Sequence, residues 1–150
     1  MMEGSPQSGY SAEMLYADYL AAQRDRFLIF RLGDRDFGIE IRHVVEIRGW
    51  REQDLSWMPM LDMRPRLGLD PTDPDNRTSV IFISVRRRRI GLIVDEVSDL
   101  CEISRSALLS PAASPGDPLD GICFGLARAE NRLVILLDAE QLPLDDVSRC

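Results

Sequence analysis

The stretch RTSVIFISVRRRRIGLIVDEVSDLCEI, residues Arg77–Ile103, constrains the fold more than any other part of the chain. Val80–Val85 is apolar apart from Ser84 and rich in β-branched and aromatic residues. Arg86–Arg89 interrupts it with four like charges. Ile90–Val97 then resumes, with Ile90, Leu92 and Val94 at a period of two. The pattern reads as strand, polar turn, strand. So short a link leaves no room for a crossover helix, so the two strands pair antiparallel.

Shorter apolar runs flank this ribbon. Phe27–Leu32 and Phe37–Ile41 are strands joined by the turn Gly33–Asp36, a hairpin signal. Arg42–Arg48 holds Ile41, Val44 and Val45 at helical spacing and ends before Gly49, which predicts a short helix. Its β-branched content makes a strand the competing reading. Met58, Met60 and Leu61 suit a strand in which Pro59 demands an edge or a bulge. Asp62–Leu69 reads as one or two helical turns ended by Gly68, and Asp70–Asn76 as a loop. Ser98–Ile103 continues extended, Ser104 is placed to cap the short turn that follows, and Pro111, Pro115 and Pro118 mark a loop over 110–120. Gly121–Ala129 and Arg132–Leu137 form a last hairpin about Glu130–Asn131, with Asn131 suited to a left-handed conformation. Asp138 is placed to cap a final turn through Leu142.

At the N-terminus, residues 1–10 read as a disordered tail and 11–24 as a helix capped by Ser11. Its broad apolar side, Met14, Leu15, Tyr16, Tyr19 and Leu20, lies on the domain or meets a partner. The domain proper spans 25–143, and 144–150 is a tail. Seven or eight short strands with no βαβ spacing predict an all-β, barrel-type fold.

Charge and composition exclude several functions. With 18 basic and 25 acidic residues the chain carries a net −7, so it has no bulk attraction to nucleic acid or to an anionic membrane. No apolar run reaches the length of a membrane helix, and the opening MMEGSPQSGY lacks the regions of a signal peptide. The three cysteines, Cys101, Cys123 and Cys150, are widely spaced, which fits a reducing cytoplasm and no disulfide framework. Cys101 and Cys123 read as small core residues. The single histidine, His43, reads as a surface or boundary residue. No zinc spacing, phosphate loop or nucleophile elbow is present, so neither a metal nor any other cofactor is expected. Gly38 and Gly91 read as sites of close packing. Alternation would put Asp95 and Asp99 on one face of a strand end, solvated rather than catalytic. Arg86–Arg89 is a solvated turn or a rim for an acidic protein partner. Trp50 and Trp57 either anchor a partner or cover the core. A binding module is the simplest reading, and an enzyme the least supported.

At this point a family resemblance carries more than periodicity does. FLIFRLGDRDFGIEIRHVVEIRGW (Phe27–Trp50), the ribbon Arg77–Ile103 with its phrase GLIVDEVSD, and GICFGLARAENRLVILLDAEQL (Gly121–Leu142) resemble, in order, the chemotaxis coupling protein CheW and CheW-like domains. The resemblance implies two small SH3-like five-stranded barrels side by side. It implies a non-catalytic, cytoplasmic adaptor that couples chemoreceptors to a histidine kinase through the kinase's own CheW-like regulatory domain, with no cofactor. It places partner contacts at Val44, Glu46, Ile47 and Arg48, beside the candidate anchors Trp50 and Trp57, with Arg64 matching the arginine of the family's DLR phrase.

One departure stands out. The family's GVINLRG-like strand has no counterpart between residues 51 and 64, so a strand of the barrel is absent and Glu46 loses its usual arginine. The missing strand leaves unpaired N–H and C=O groups on two neighbours. Closure by those neighbours, cover from residues 11–24, or a strand from a second copy would each repair it. The alternative to an adaptor is a self-associating structural or regulatory domain that has lost kinase coupling.

Overall fold

The structure is a computed structural model that describes residues 12, 13, 15, 16, 25–51, 59–110, 116–142, 148 and 149. Among these, ten strands form two five-stranded sheets. The first has the order β7-β1-β2-β9-β8, with β1 Arg26–Leu32, β2 Arg35–Glu40, β7 Glu96–Glu102, β8 Cys123–Ala129 and β9 Arg132–Leu137. The second has the order β10-β4-β6-β5-β3, with β3 Val44–Gly49, β4 Pro59–Asp62, β5 Ser79–Val85, β6 Arg88–Val94 and β10 Ser148–Arg149. A four-residue helix, α1 Met63–Arg66, follows β4. Most neighbours pair antiparallel, but β2–β9 and β4–β6 run parallel.

The ribbon folds as its periodicity demands. Strands β5 and β6 pair antiparallel from Ser79 opposite Val94 to Val85 opposite Arg88. Only Arg86 and Arg87 form the turn, at φ of 50° and 64°, while Arg88 and Arg89 enter the ladder. A two-residue hairpin turn with both central residues at positive φ matches the twist of its strands, which is why the tip is tighter than a four-arginine loop. At the β8–β9 tip it is Glu130, not Asn131, that takes positive φ, at 59°.

Alternate residues of each central strand serve two cores. Leu28, Phe30 and Leu32 of β1, Phe37 and Ile39 of β2, Ile81 and Ile83 of β5, and Ile90, Leu92 and Val94 of β6 make one cluster that both sheets share. Each such side chain contributes about 1.5–3 kcal/mol by burial, so this shared layer holds the sheets together. Phe30 and Phe37 stack within it, centroids 5.8 Å apart. The opposite face of the first sheet closes over Phe27, Ile29, Ala127, Val134 and Leu136. The opposite face of the second holds only Met60, Val80 and Phe82, with Trp50 and Ile93 against them. Gly91 and Gly38 do permit close packing: a Cβ at Gly91 would stand 2.7 Å from Met60 Sδ, and one at Gly38 would stand 2.9 Å from Leu136 Cδ2.

The expectation of two closed barrels is corrected. The first sheet curls until the chain leaving β7 reaches β8, but the join is one bridge: Leu109 N–H donates to the Leu126 carbonyl at 2.8 Å, and Leu126 N–H donates back at 3.0 Å. The second sheet stays open among the described residues, with β3 at one end of its order and β10 at the other. No described strand stands between β3 and β4, and residues 52–58 of that interval lie outside the described residues. The β4 edge receives two residues of β10, Ser148 opposite Met60 and Arg149 opposite Pro59.

Several local expectations change as well. Arg42–Arg48 is not a helix: Ile41–His43 makes one 3-10 turn, and Val44 onward is strand, as the β-branched residues favour. His43 is buried rather than at the surface, because that turn tucks its ring inward. Ser104 caps nothing; its hydroxyl pairs with Ser106 Oγ at 2.8 Å. The expected cap at Asp138 forms, accepting from Glu140 N–H at 3.0 Å, and Asp62 caps α1 by accepting from Arg64 N–H at 3.2 Å. Of the expected helix 11–24, Ala12, Glu13, Leu15 and Tyr16 are helical and exposed, and the remainder lies outside the described residues. So do the tail 1–10, Trp57 and Cys150.

Candidate functional site

Strand β3 carries most of the residues singled out in the sequence. It pairs antiparallel with β5, Val44 opposite Ile83, Glu46 opposite Phe82, Ile47 opposite Ile81, Arg48 opposite Val80 and Gly49 opposite Ser79. The register slips between Val44 and Glu46, so Val45 is the extra residue of a bulge. Among the described residues β3 pairs with β5 alone. It is therefore an edge among the described residues.

Its side chains sort by face. Directly opposite residues share a face, so Glu46 and Arg48 stand with Phe82 and Val80, and Ile47 stands with Ile81. Arg48 Nε donates to Glu46 Oε2, and its guanidinium lies 5.8 Å from the Phe82 ring centroid. The ion partner of Glu46 thus stands two residues along its own strand. Val45 and Ile47 remain 44% and 43% exposed, a large fraction for branched aliphatic side chains in a strand. Val44 packs on the shared core. Trp50 donates its N–H to the Thr78 carbonyl at 2.9 Å and lies against Met60, Val80 and Phe82, so it covers the small core beside the edge.

Arg64 belongs to a different network. Its Nε and Nη2 donate to Asp95 Oδ1 and Oδ2 at 2.8 and 2.7 Å, and Nη1 donates to the Asp70 carbonyl at 2.7 Å. Asp95 also accepts from the Gly33 N–H at 2.7 Å. One carboxylate therefore ties α1, the end of β6 and the β1–β2 turn together. Burial disfavours the charge on Asp95, but the hydrogen bonds from Arg64 and Gly33 outweigh it and hold the carboxyl below its ordinary range.

The expected solvated carboxylates are paired instead. The Arg132 guanidinium reaches both oxygens of Asp99 at 2.7 and 2.6 Å and depresses that carboxyl. Asp95 and Asp99 do not share a face of one strand, because a bulge at Ser98 shifts the register: Phe30 faces Val97 and Ile29 faces Asp99. Val97 then packs on the shared core, and Ser98 Oγ donates to the Ile29 carbonyl at 3.1 Å. Buried Glu40 accepts from Arg42 Nε and pairs with Arg105 Nη2, each at 2.9 Å, and Arg105 lies 5.0 Å from the Phe124 ring centroid.

None of this assembles chemistry. Among the described residues no group of three or more His, Cys, Asp or Glu side chains can hold a metal ion. Burial pushes the Cys101 and Cys123 thiols up, away from the reactive thiolate. A groove of about 550 Å³ runs beside Asp36, Cys123, Arg132 and Leu133, lined by arginine–carboxylate pairs and apolar strand residues. The structure brings Val44, Glu46, Ile47, Arg48 and Trp50 to one edge and gives Arg64 to the joint between sheets. Val45, placed by the sequence at helical spacing and not named as a contact residue, is exposed because it is the extra residue of the bulge.

Residues 26–145 match the CheW-like domain family. The chain is 32% identical to the "Probable chemotaxis protein CheW" of Rhizobium etli, a match covering 86% of this chain and 94% of that protein. It is 26% identical to the chemotaxis protein CheW of Rhizobium meliloti, covering 84% and 92%. The crystal structure of the scaffolding protein TtCheW from Thermoanaerobacter tengcongensis is similar at a TM-score of 0.67 and 17% identity, over 79% of this chain and 87% of that one, a likeness of fold.

Proposed function

The chain belongs to the CheW-like domain family of non-catalytic adaptors in chemotaxis signalling, and we propose that it docks the regulatory domain of a chemosensory histidine kinase through the β3 edge. One observation carries this reading. Strand β3 sets two exposed aliphatic side chains, Val45 and Ile47, beside the Glu46–Arg48 ion pair, on an edge whose backbone has a single described neighbour. An open edge recognises a partner by strand addition, with main-chain hydrogen bonds for affinity and alternate side chains for choice. Val44, Glu46, Ile47, Arg48 and Trp50 form this surface in the proposal, and Trp57 lies outside the described residues. Arg64 stands apart from this edge and holds α1 against the β6–β7 corner.

A chemoreceptor's cytoplasmic tip is the second partner the family reading supplies, and it places the work in the cytoplasm. No helix among the described residues is long and apolar enough to cross a membrane.

The test is a titration of the full chain against the isolated kinase regulatory domain by calorimetry. Val45→Asp and Ile47→Asp are each expected to weaken binding at least about tenfold, since each puts a charge into a desolvated contact. Leu133→Asp, on β9 of the other sheet, is expected to leave it unchanged. Equal affinity in all three variants would remove β3 from the contact.

A further inference from the structure

We propose that β3 also pairs with β3 of a second copy of this chain, antiparallel and centred on Ile47. The inference needs only the edge itself and stands independently of any kinase.

The arrangement of side chains along β3 is self-complementary. With Ile47 opposite Ile47 of the other copy, Glu46 of each copy faces Arg48 of the other. Residues directly opposite in an antiparallel pair share a face, so both cross-copy ion pairs fall on the Phe82 side and the two Ile47 side chains meet on the other. The same register sets Val45 opposite Gly49. A Cβ on Gly49 would meet nothing within 4 Å among the described residues, so among these the space beside it is open to the exposed Val45 side chain. The ion pair within each copy, Arg48 on Glu46, then becomes a row of four alternating charges across the two strands.

The alternatives are disfavoured by the same residues. Centring the pair on Glu46 or on Arg48 opposes like charges, and a parallel pair sets Glu46 beside Glu46. Like charges directly opposite are destabilising. Slipping by one residue turns Ile47 to the wrong face. Proteins usually blunt an edge with repeated charge of one sign, proline or inward charge. Strand β3 has one charge of each sign at the spacing that a two-fold axis through Ile47 satisfies, together with an unpartnered backbone among the described residues. It is built to accept its own copy rather than to repel it.

Sedimentation equilibrium of the full chain tests this over a range of concentrations. The expected result is a reversible dimer. Glu46→Arg and Arg48→Glu should each weaken it at least about tenfold, because each opposes like charges twice. An equimolar mixture of those two variants should restore association, since the variants complement each other across the axis. Gly49→Lys, which fills the space opposite Val45 and leaves the ion pair intact, should weaken the dimer with the unfolding midpoint kept, and it decides the matter if a charge variant fails to fold. A chain monomeric up to about 100 μM, a concentration at which a specific pair of micromolar affinity would be mostly assembled, overturns the proposal. So does a dimer indifferent to Glu46, Arg48 and Gly49, or a variant mixture that stays monomeric. These readouts use the chain alone, so they fail or succeed separately from any kinase titration.

Discussion

Arg64 and Asp95 meet through two parallel hydrogen bonds, Nε to Oδ1 at 2.8 Å and Nη2 to Oδ2 at 2.7 Å, with both side chains mostly shielded. A planar guanidinium fits a carboxylate this way and a lysine does not. The pair joins α1 to the β6–β7 corner, and through Gly33 N–H to the first sheet. Arg64→Ala is expected to cost about 2 kcal/mol, the usual loss for hydrogen bonds to a charged group. Arg64→Lys should recover only part of it. Urea unfolding midpoints measure both, and an Arg64→Ala protein as stable as the parent would refute the clamp.

Acid should loosen the fold through the same carboxylates. Asp95 and Asp99 both lie below the ordinary aspartate value of 3.8 in the folded chain. A depressed carboxyl contributes stability that is fully present above the unfolded value and is lost as pH falls through the folded one. Unfolding free energy should therefore hold down to about pH 4 on this account and drop below it. Arg132→Ala should remove the Asp99 share of that drop. A parent protein whose stability is flat through the acid limb would contradict it.

His43 predicts a second dependence, nearer neutrality. Burial, and then repulsion from Arg42, lowers its affinity for a proton below the ordinary value of 6.5, and its Nε2 has no hydrogen-bond partner among the described residues. The unfolded chain therefore binds the proton first, and stability falls as pH drops below 6.5 until the folded ring itself titrates. His43→Phe should flatten the stability profile between about pH 7 and 5, where aspartates barely titrate. An unchanged slope in that variant would exclude His43 as its source.

The Arg86–Arg87 tip carries strain that a substitution can relieve. Both residues sit at positive φ, where a Cβ is crowded by the backbone. Replacing them with Asn-Gly, the pair such a turn favours, should raise stability by about 1–2 kcal/mol. Thermal unfolding of the double variant is the measurement. A fall in midpoint would mean that the arginines contribute more through their side chains than their backbone costs.

Much of the architecture was legible because it is local. The runs Val80–Val85, Ile90–Val94 and Arg132–Leu137 are short, rich in β-branched and other apolar residues and bounded by turn residues, which favours strands. The edge at Val44–Gly49 was less legible. A 3-10 turn at Ile41–His43 followed by a bulge at Val45 places Ile41, Val44 and Val45 at spacings that imitate a helix. The bulge at Ser98 hid the separate fates of Val97 and Asp99 in the same way, since one extra residue inverts a period of two.

Local periodicity thus settled the hairpins and their partners across short turns. It did not reach the parallel pairings β2–β9 and β4–β6, the clamp of Arg64 on Asp95, or the open flank of β3. Those relations join segments far apart in the chain. No residue pattern within a strand encodes them, because they form only when a shared apolar layer brings distant strands to the same place and the backbone groups left over must find neighbours.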